Sequence, residues 1–222
     1  MDTQPKTSRP AHEVVYHKLR ELILFGDIAP GQAITIQGLT ATLDAGMTPV
    51  REALRKLISE GALVFQGNRR VTVPVLTIDN LNELMFARQA IEPQMIILAT
   101  QHATPTDLDE AELIDTQLDA AISSGDVKRY LQKNYEFHSQ LYAMADAPIL
   151  EALVNSMWLR FGPSMRVICG RLGTQNLPDQ HKACLSAMRA GDAQGAANAI
   201  KQDVVLGMEQ VMRNLTESPS KN

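Results

Sequence analysis

Asn134 and His138 stand four residues apart in NYEFHSQLY, a spacing that places an amide and an imidazole on one face of a helix. Such a pair can contribute to a divalent metal site if other helices supply further nitrogen or carboxylate donors. Alternatively, His138 is a buried, hydrogen-bonded ring with no metal. The same two readings apply to His181. Arg88 lies on a largely apolar stretch, and a buried guanidinium needs an anionic partner. Glu92, one helical turn on, is one candidate. A third feature is cationic. Between Gly46 and Val75, Arg51, Arg55, Lys56, Arg69 and Arg70 face only Glu52 and Glu60, a net +3 in a chain of formal charge −4. Such a patch suits a nucleic-acid backbone. The sequence has no H-E-x-x-H, no Glu-x-x-His pair and no Ser/His/Asp set. A metal-dependent enzyme on a helical bundle is therefore the alternative that lacks a general base.

The elements that must carry the basic cluster are legible from Gln37 to Val73. Leu39 and Leu43 suit the buried face of a short helix. Asp44-Ala45-Gly46 reads as a turn, with the glycine free to take positive φ. Thr48 is the expected N-cap of a second helix, with Pro49 in its first position and Val50, Leu54, Leu57 and Ile58 at helical spacing. Gly61 ends it. Leu63–Phe65 and Val71–Val73 flank a basic hairpin tip, Gln66 to Arg70. Upstream, Val14, Val15, Leu19, Leu22 and Ile23 predict a helix to about Phe25, and Ala33–Ile36 an extended piece able to pair with the hairpin. This is a winged helix-turn-helix, whose second helix enters the major groove N-terminus first.

TPVREALRKLISEGAL resembles the recognition helix of the GntR family of bacterial transcription regulators, and LRELILFGDIAPGQAI resembles that family's first helix and entry turn. The resemblance covers roughly residues 12–75. It implies an operator-binding surface made of Gln37, Gly46, Met47, Thr48, Arg51, Arg55, Asn68, Arg69 and Arg70. Gly46-Met47 stands where the family usually has Ser-Arg, so the base-reading set is altered.

Composition fits a soluble globular protein, with 45% hydrophobic and 21% charged residues. Cys169 and Cys184 form no metal motif or disulfide framework and read as small buried hydrophobes. No apolar run is long enough to span a membrane, and the polar N-terminus is not a signal peptide, so a cytoplasmic location is expected. The charge is unevenly shared. Residues 1–75 carry 9 Lys+Arg against 7 Asp+Glu, and residues 76–222 carry 12 against 18, as if only the first part faced DNA. The expected order is a disordered tail over 1–10, the winged domain over 11–75, a linker over 76–78, a helical domain over 79–215 and a frayed tail over 216–222.

The fold class expected is mainly α: a winged helix-turn-helix domain of three helices and a small β-wing, then an all-helical antiparallel bundle. Helices are predicted over 79–101, with Pro93 as a kink, and over 107–124 with Thr106 as cap. Others run from Asp126 to about Ala145, and from Pro148 to Phe161, broken by Gly162-Pro163. A short helix over 164–169, a loop over 170–178 and helices over 178–190 and 192–215 complete the chain.

ELMFARQAIEPQMIILA, NYEFHSQLYAMADAPIL and QHKACLSAMRAGDAQGAANAI look like the FCD effector-binding domain of the FadR subfamily, over roughly residues 78–213. The resemblance implies a ligand-responsive regulator, a repressor by the commoner mode, that binds a near-palindromic double-stranded operator as a homodimer and is released by a small carboxylate effector. The chain's shortness points to six helices in this domain. The resemblance also implies one divalent metal (zinc, nickel or manganese) held by Asn134, His138, His181 and Asp203, with Asp203 where the family has a further His. Arg88 is then an effector contact, with Arg160 and Arg166 behind it, and Tyr142 and Trp158 are core.

Overall fold

The computed structural model describes residues 10–66, 70–172 and 180–216. The first helix, α1 (Ala11–Leu24), buries Val15, Tyr16, Leu19, Ile23 and Leu24 on one side, as the periodicity requires. After it come β1 (Ala33–Ile34), α2 (Ile36–Leu43), α3 (Met47–Ser59), β2 (Val64–Gln66) and β3 (Arg70–Thr72). The three strands form one antiparallel sheet in the order β1-β3-β2, with Ile34 opposite Val71 and Phe65 opposite Val71 across the other edge. The extended piece before α2 thus pairs with the wing as expected. Thr35 caps α2 by accepting from the Gly38 N–H at 3.0 Å.

The start of α3 differs from the sequence reading. Its N-cap is Gly46, not Thr48, and the first helical bond runs from Val50 N–H to the Gly46 carbonyl. Pro49 therefore sits in the first turn, where backbone N–H groups have no helical acceptor and its missing donor costs nothing. The positive φ of the preceding turn falls on Asp44 (φ 48), the C-cap of α2, while Gly46 is extended. A short aspartate side chain tolerates that conformation better than most residues.

Beyond Pro74 come α4 (Ile78–His102), α5 (Pro105–Ser124), α6 (Val127–Met144), α7 (Pro148–Leu172), α8 (His181–Arg189) and α9 (Ala193–Thr216). These six helices, among the described residues, carry no strand between them. α4 packs along α9, and α5 lies between α6 and α8. Thr77 and Asp126 cap their helices through their side chains. The cap of α5 is Thr104 rather than Thr106. It forms a reciprocal capping box with Asp107, and Pro105 takes the first helical position, where its fixed φ is already helical. α4 continues through Pro93, and its inward stripe is Leu81, Leu84, Arg88, Glu92, Met95, Ile96 and Ala99.

α7 is a single helix where the sequence reading placed a break at Gly162-Pro163 and a loop from Gly170. Gly162 serves packing. A Cβ there would collide with the Leu24 backbone carbonyl at the end of α1. α8 begins at His181; Pro178, its expected start, lies outside the described residues, as do the tails and the wing tip over 67–69.

α1 rests on α7, so the two halves of the molecule are in contact. The Arg20 guanidinium donates to the Tyr135 hydroxyl at 2.8 Å and to Asn155 Oδ1 at 3.2 Å, and Tyr135 donates to the same Asn155 oxygen at 2.8 Å. Ser156 Oγ and Arg160 donate to the Glu60 carbonyl at the end of α3.

Candidate metal centre and DNA-facing surface

α6, α8 and α9 converge on a buried cluster of His138, His181 and Asp203 whose donor atoms lie within 4.8 Å of one another. His138 Nε2 is 3.2 Å from Asp203 Oδ2, and His181 Nε2 is 3.8 Å from Asp203 Oδ1. Both rings are essentially inaccessible, and the Asp203 side chain is 12% exposed. Two ligands on one zinc-sized ion, each at about 2.0–2.2 Å, sit roughly 3–3.5 Å from each other. The cluster is therefore close to the spacing of a formed metal site.

The other ring nitrogens explain the orientation. His181 Nδ1 lies 2.9 Å from Asp115 Oδ1, a carboxylate on α5. His138 Nδ1 lies 3.1 Å from the Tyr142 hydroxyl, one turn on along α6. Tyr142 in turn donates to Glu92 Oε2 at 2.6 Å. A phenol has one proton, so with that proton donated to Glu92 the Tyr142 oxygen accepts from His138 Nδ1–H. His138 Nε2 then presents a lone pair to a carboxylate oxygen 3.2 Å away. Two acceptors in that position need a cation between them, a proton or a metal ion. Burial pushes the Asp203 carboxyl up, but with protons on the two imidazoles as that cation, the His138 hydrogen bond and the ring charges outweigh it. The Gln180 N–H adds to them, and the carboxyl is held at about 2. The donor set of two imidazoles and one carboxylate fits a divalent ion of the zinc, nickel or manganese type.

Asn134, one turn before His138, lines a small cavity with Arg88, Tyr130, His138, Trp158 and Asp203. Asn134, His138 and Asp203 thus line one cavity, and His181 joins the last two in the cluster. Arg88 is buried and ion-paired with Glu92, Nε to Oε1 at 2.5 Å and Nη2 to Oε2 at 3.2 Å. Its guanidinium also lies over the faces of Trp158 (4.8 Å) and Phe161 (4.9 Å). Arg160 and Arg166 are not in this cavity; Arg160 reaches the Glu60 carbonyl and Arg166 packs against Gly26. Asp115 and the hydroxyl of Tyr142 are contributions the residue pattern did not reveal. Both are polar groups inside otherwise amphipathic helices, and Asp115 interrupts the apolar positions of α5. Cys169 and Cys184 are buried free thiols, each pushed up to about 12, with burial the main cause.

At the other end of the molecule, α3 buries Val50, Ala53, Leu54 and Leu57 and exposes Arg51 and Arg55, one turn apart. Gln37, Gly46, Met47, Thr48 and Arg70 are exposed as well. Lys56 lies over the Tyr16 ring at 3.8 Å, on the side of α3 that meets α1. Asn68 and Arg69 lie outside the described residues. Among the described residues, no helix is long and apolar enough to cross a membrane.

Residues 11–73 match the bacterial regulatory proteins of the gntR family, and residues 83–205, over half the chain, match the FCD domain. The chain is 27% identical over 206 residues to the HTH-type transcriptional regulator McbR of Escherichia coli (strain K12), covering 90% of this chain and 93% of that one. It is 26% identical over 149 residues to the HTH-type transcriptional repressor RspR of the same organism, covering 67% and 65%. The solved structure of E. coli McbR/YncC superposes with a TM-score of 0.88 at 25% identity, covering 94% of this chain and all of that one.

Proposed function

The chain belongs to the GntR family of bacterial transcription regulators, in the branch with an FCD effector-binding domain, and from that premise we propose that it is a metal-containing repressor released by a small carboxylate. The metal cluster carries this reading. Asn134, His138, His181 and Asp203 hold one divalent ion, with zinc, nickel and manganese all compatible with the donors. Two neutral imidazoles, an amide oxygen and one carboxylate leave that ion a formal charge of +1. An anionic effector is drawn to it. Arg88 lines the same cavity, and Glu92 takes two of its five donors, which leaves others for the effector. Repression is supported by the similarity to RspR.

The DNA-binding unit is taken as residues 11–75, with the helical unit over 79–215. The operator contacts are Gln37, Gly46, Met47, Thr48, Arg51 and Arg55 from α2 and α3, and Asn68, Arg69 and Arg70 from the wing. One recognition helix reads only a half-site, so specific binding uses a homodimer on a near-palindrome. Leu81 is fully buried within its own chain and is not available to a dimer interface. The exposed Phe86 and Ile149, at 77% and 78%, are the better candidates. The setting is the cytoplasm, where the DNA is.

One experiment tests the whole reading. Operator fragments are selected from genomic DNA with the purified protein, and binding is measured at fixed salt with and without metal and a panel of small carboxylates. Arg51→Ala is expected to lose about 1–3 kcal/mol of operator affinity. A carboxylate is expected to weaken operator binding by the parent but not by His138→Ala. Undiminished binding by Arg51→Ala would show that α3 is not the reading helix. An effector response equal in His138→Ala and parent would remove the metal from the mechanism.

A further inference from the structure

The cavity raises a question that the metal reading leaves open, namely why a buried ion pair and a tyrosine stand behind one imidazole. Arg88, Glu92, Tyr142 and His138 form a continuous chain of contacts at 2.5, 2.6 and 3.1 Å. All four side chains are buried, at 3%, 0%, 2% and 1% exposure. The chain crosses between two helices. Arg88 and Glu92 are one turn apart on α4, and His138 and Tyr142 one turn apart on α6. We propose that Arg88 and Glu92 are positioning residues that act through Tyr142 to fix His138 as the Nδ1–H tautomer, with Nε2 aimed at the metal position. The proposal rests on the reading of His138 as a ligand.

Arg88 grips Glu92 through Nε and Nη2, so both oxygens of Glu92 are acceptors and its carboxylate is oriented. Glu92 Oε2 then takes the only proton of Tyr142, and the Tyr142 oxygen can only accept from His138. A neutral imidazole that donates through Nδ1 has its lone pair on Nε2, the nitrogen facing Asp203. On the opposite side of the cluster Asp115 does the same for His181 in a single step. Outer partners of this kind orient metal-bound histidines and raise their basicity. A buried ion pair is a poor source of stability by itself, since hydrophobic residues of like volume serve as well or better. The relay gives Arg88–Glu92 a role that packing does not.

The test uses the full chain and zinc alone as probe. Zinc affinity is measured by competition with a chromophoric chelator, and the His138 tautomer by ¹⁵N shifts of the imidazole in the zinc-loaded protein. Tyr142→Phe keeps the ring and removes only the hydroxyl, and it is expected to weaken zinc binding by about 10–100-fold. The double variant Arg88→Met, Glu92→Leu replaces the pair by apolar side chains of similar size. It is expected to show a comparable loss with His138 and Tyr142 both intact. Leu108→Ala, a core truncation on α5, controls for general loosening and should lower the melting temperature without a matching loss of zinc. Zinc affinity equal to the parent's in Tyr142→Phe or in the double variant would overturn the relay, as would an equal loss in Leu108→Ala. Should the parent itself bind no zinc, the ligand reading falls and takes the relay with it. That outcome is recognised by blank results in every variant alike.

Discussion

Tyr16 shows how a single side chain ties the winged helix-turn-helix together. Its hydroxyl, on α1, donates to the Glu60 carboxylate at the end of α3, at 2.9 and 3.0 Å to the two oxygens. Its ring lies under the Lys56 ammonium. Burial first, and then the hydrogen bond and charge of Glu60, raise its ionisation from 10.0 to about 12. The folded form therefore holds the phenol proton more tightly than the unfolded chain. The contribution is complete below pH 10 and is lost as pH rises towards 12. Tyr16→Phe is expected to cost about 1.5–3 kcal/mol at pH 8, the range of a hydrogen bond to a charged group. The gap from the parent should close as pH rises from 10 to 12. Urea midpoints of the two proteins at pH 8 and across that range measure it, and a gap that stays constant from about pH 8 to 12 would show that the fold does not hold the phenol proton more tightly. At this scale the sequence was only half readable. His138 and His181 stood out by residue type, and Asp203 by its place in the family pattern. Asp115 and the Tyr142 hydroxyl looked like ordinary helix residues, because their role depends on which helix faces which.

Helices were legible where periodicity and capping chemistry agreed, and misread where glycine served packing. Asp126, Gly61 and Pro148 mark helix ends as their chemistry demands. Gly162-Pro163 carries the same local signal as a true break, yet α7 runs through it. What decides is a tertiary contact, the approach of the α1 C-terminus, which no local window contains. The consequence is testable. In Gly162→Ala the new methyl would meet the Leu24 carbonyl, a backbone atom that cannot swing aside. Alanine favours the helix by about 1 kcal/mol over glycine, but overpacking of this kind costs about 1–3 kcal/mol. Net destabilisation is expected, concentrated at the contact of α7 with α1. Calorimetry should show a lower melting temperature for Gly162→Ala. A higher one would mean that α1 can shift without cost and that the glycine is not there for close approach.

Across the whole molecule, the seat of α1 on α6 and α7 lies directly behind the cavity. Trp158 lines that cavity and meets Tyr135 edge-on, with ring centroids 5.4 Å apart. Tyr135 and Asn155 share the Arg20 guanidinium, and Phe25 packs edge-on against Tyr135 from the other side. Between the winged sheet and α4 the chain runs through Pro74–Thr77, which carries no helix or strand. Interfaces of this kind inside one chain permit relative motion unless they are large and apolar. Here three polar groups meet at the centre, so the seat is held by hydrogen-bond geometry as well as by burial. Removing the guanidinium leaves Tyr135 and Asn155 bonded to each other, so Arg20→Ala should release the winged domain without damaging the bundle. Two signs are expected: amide exchange at Val75 and Leu76 at least several-fold faster than in the parent, and a thermal transition that separates into two steps as the halves lose cooperativity. Metal content should be unchanged, since no ligand touches Arg20. A single, unshifted transition with unchanged exchange would mean that the Arg20 bonds do not hold the seat, which then rests on its apolar contacts and on the remaining polar bonds, Ser156 and Arg160 to the Glu60 carbonyl and Lys128 to Asp27.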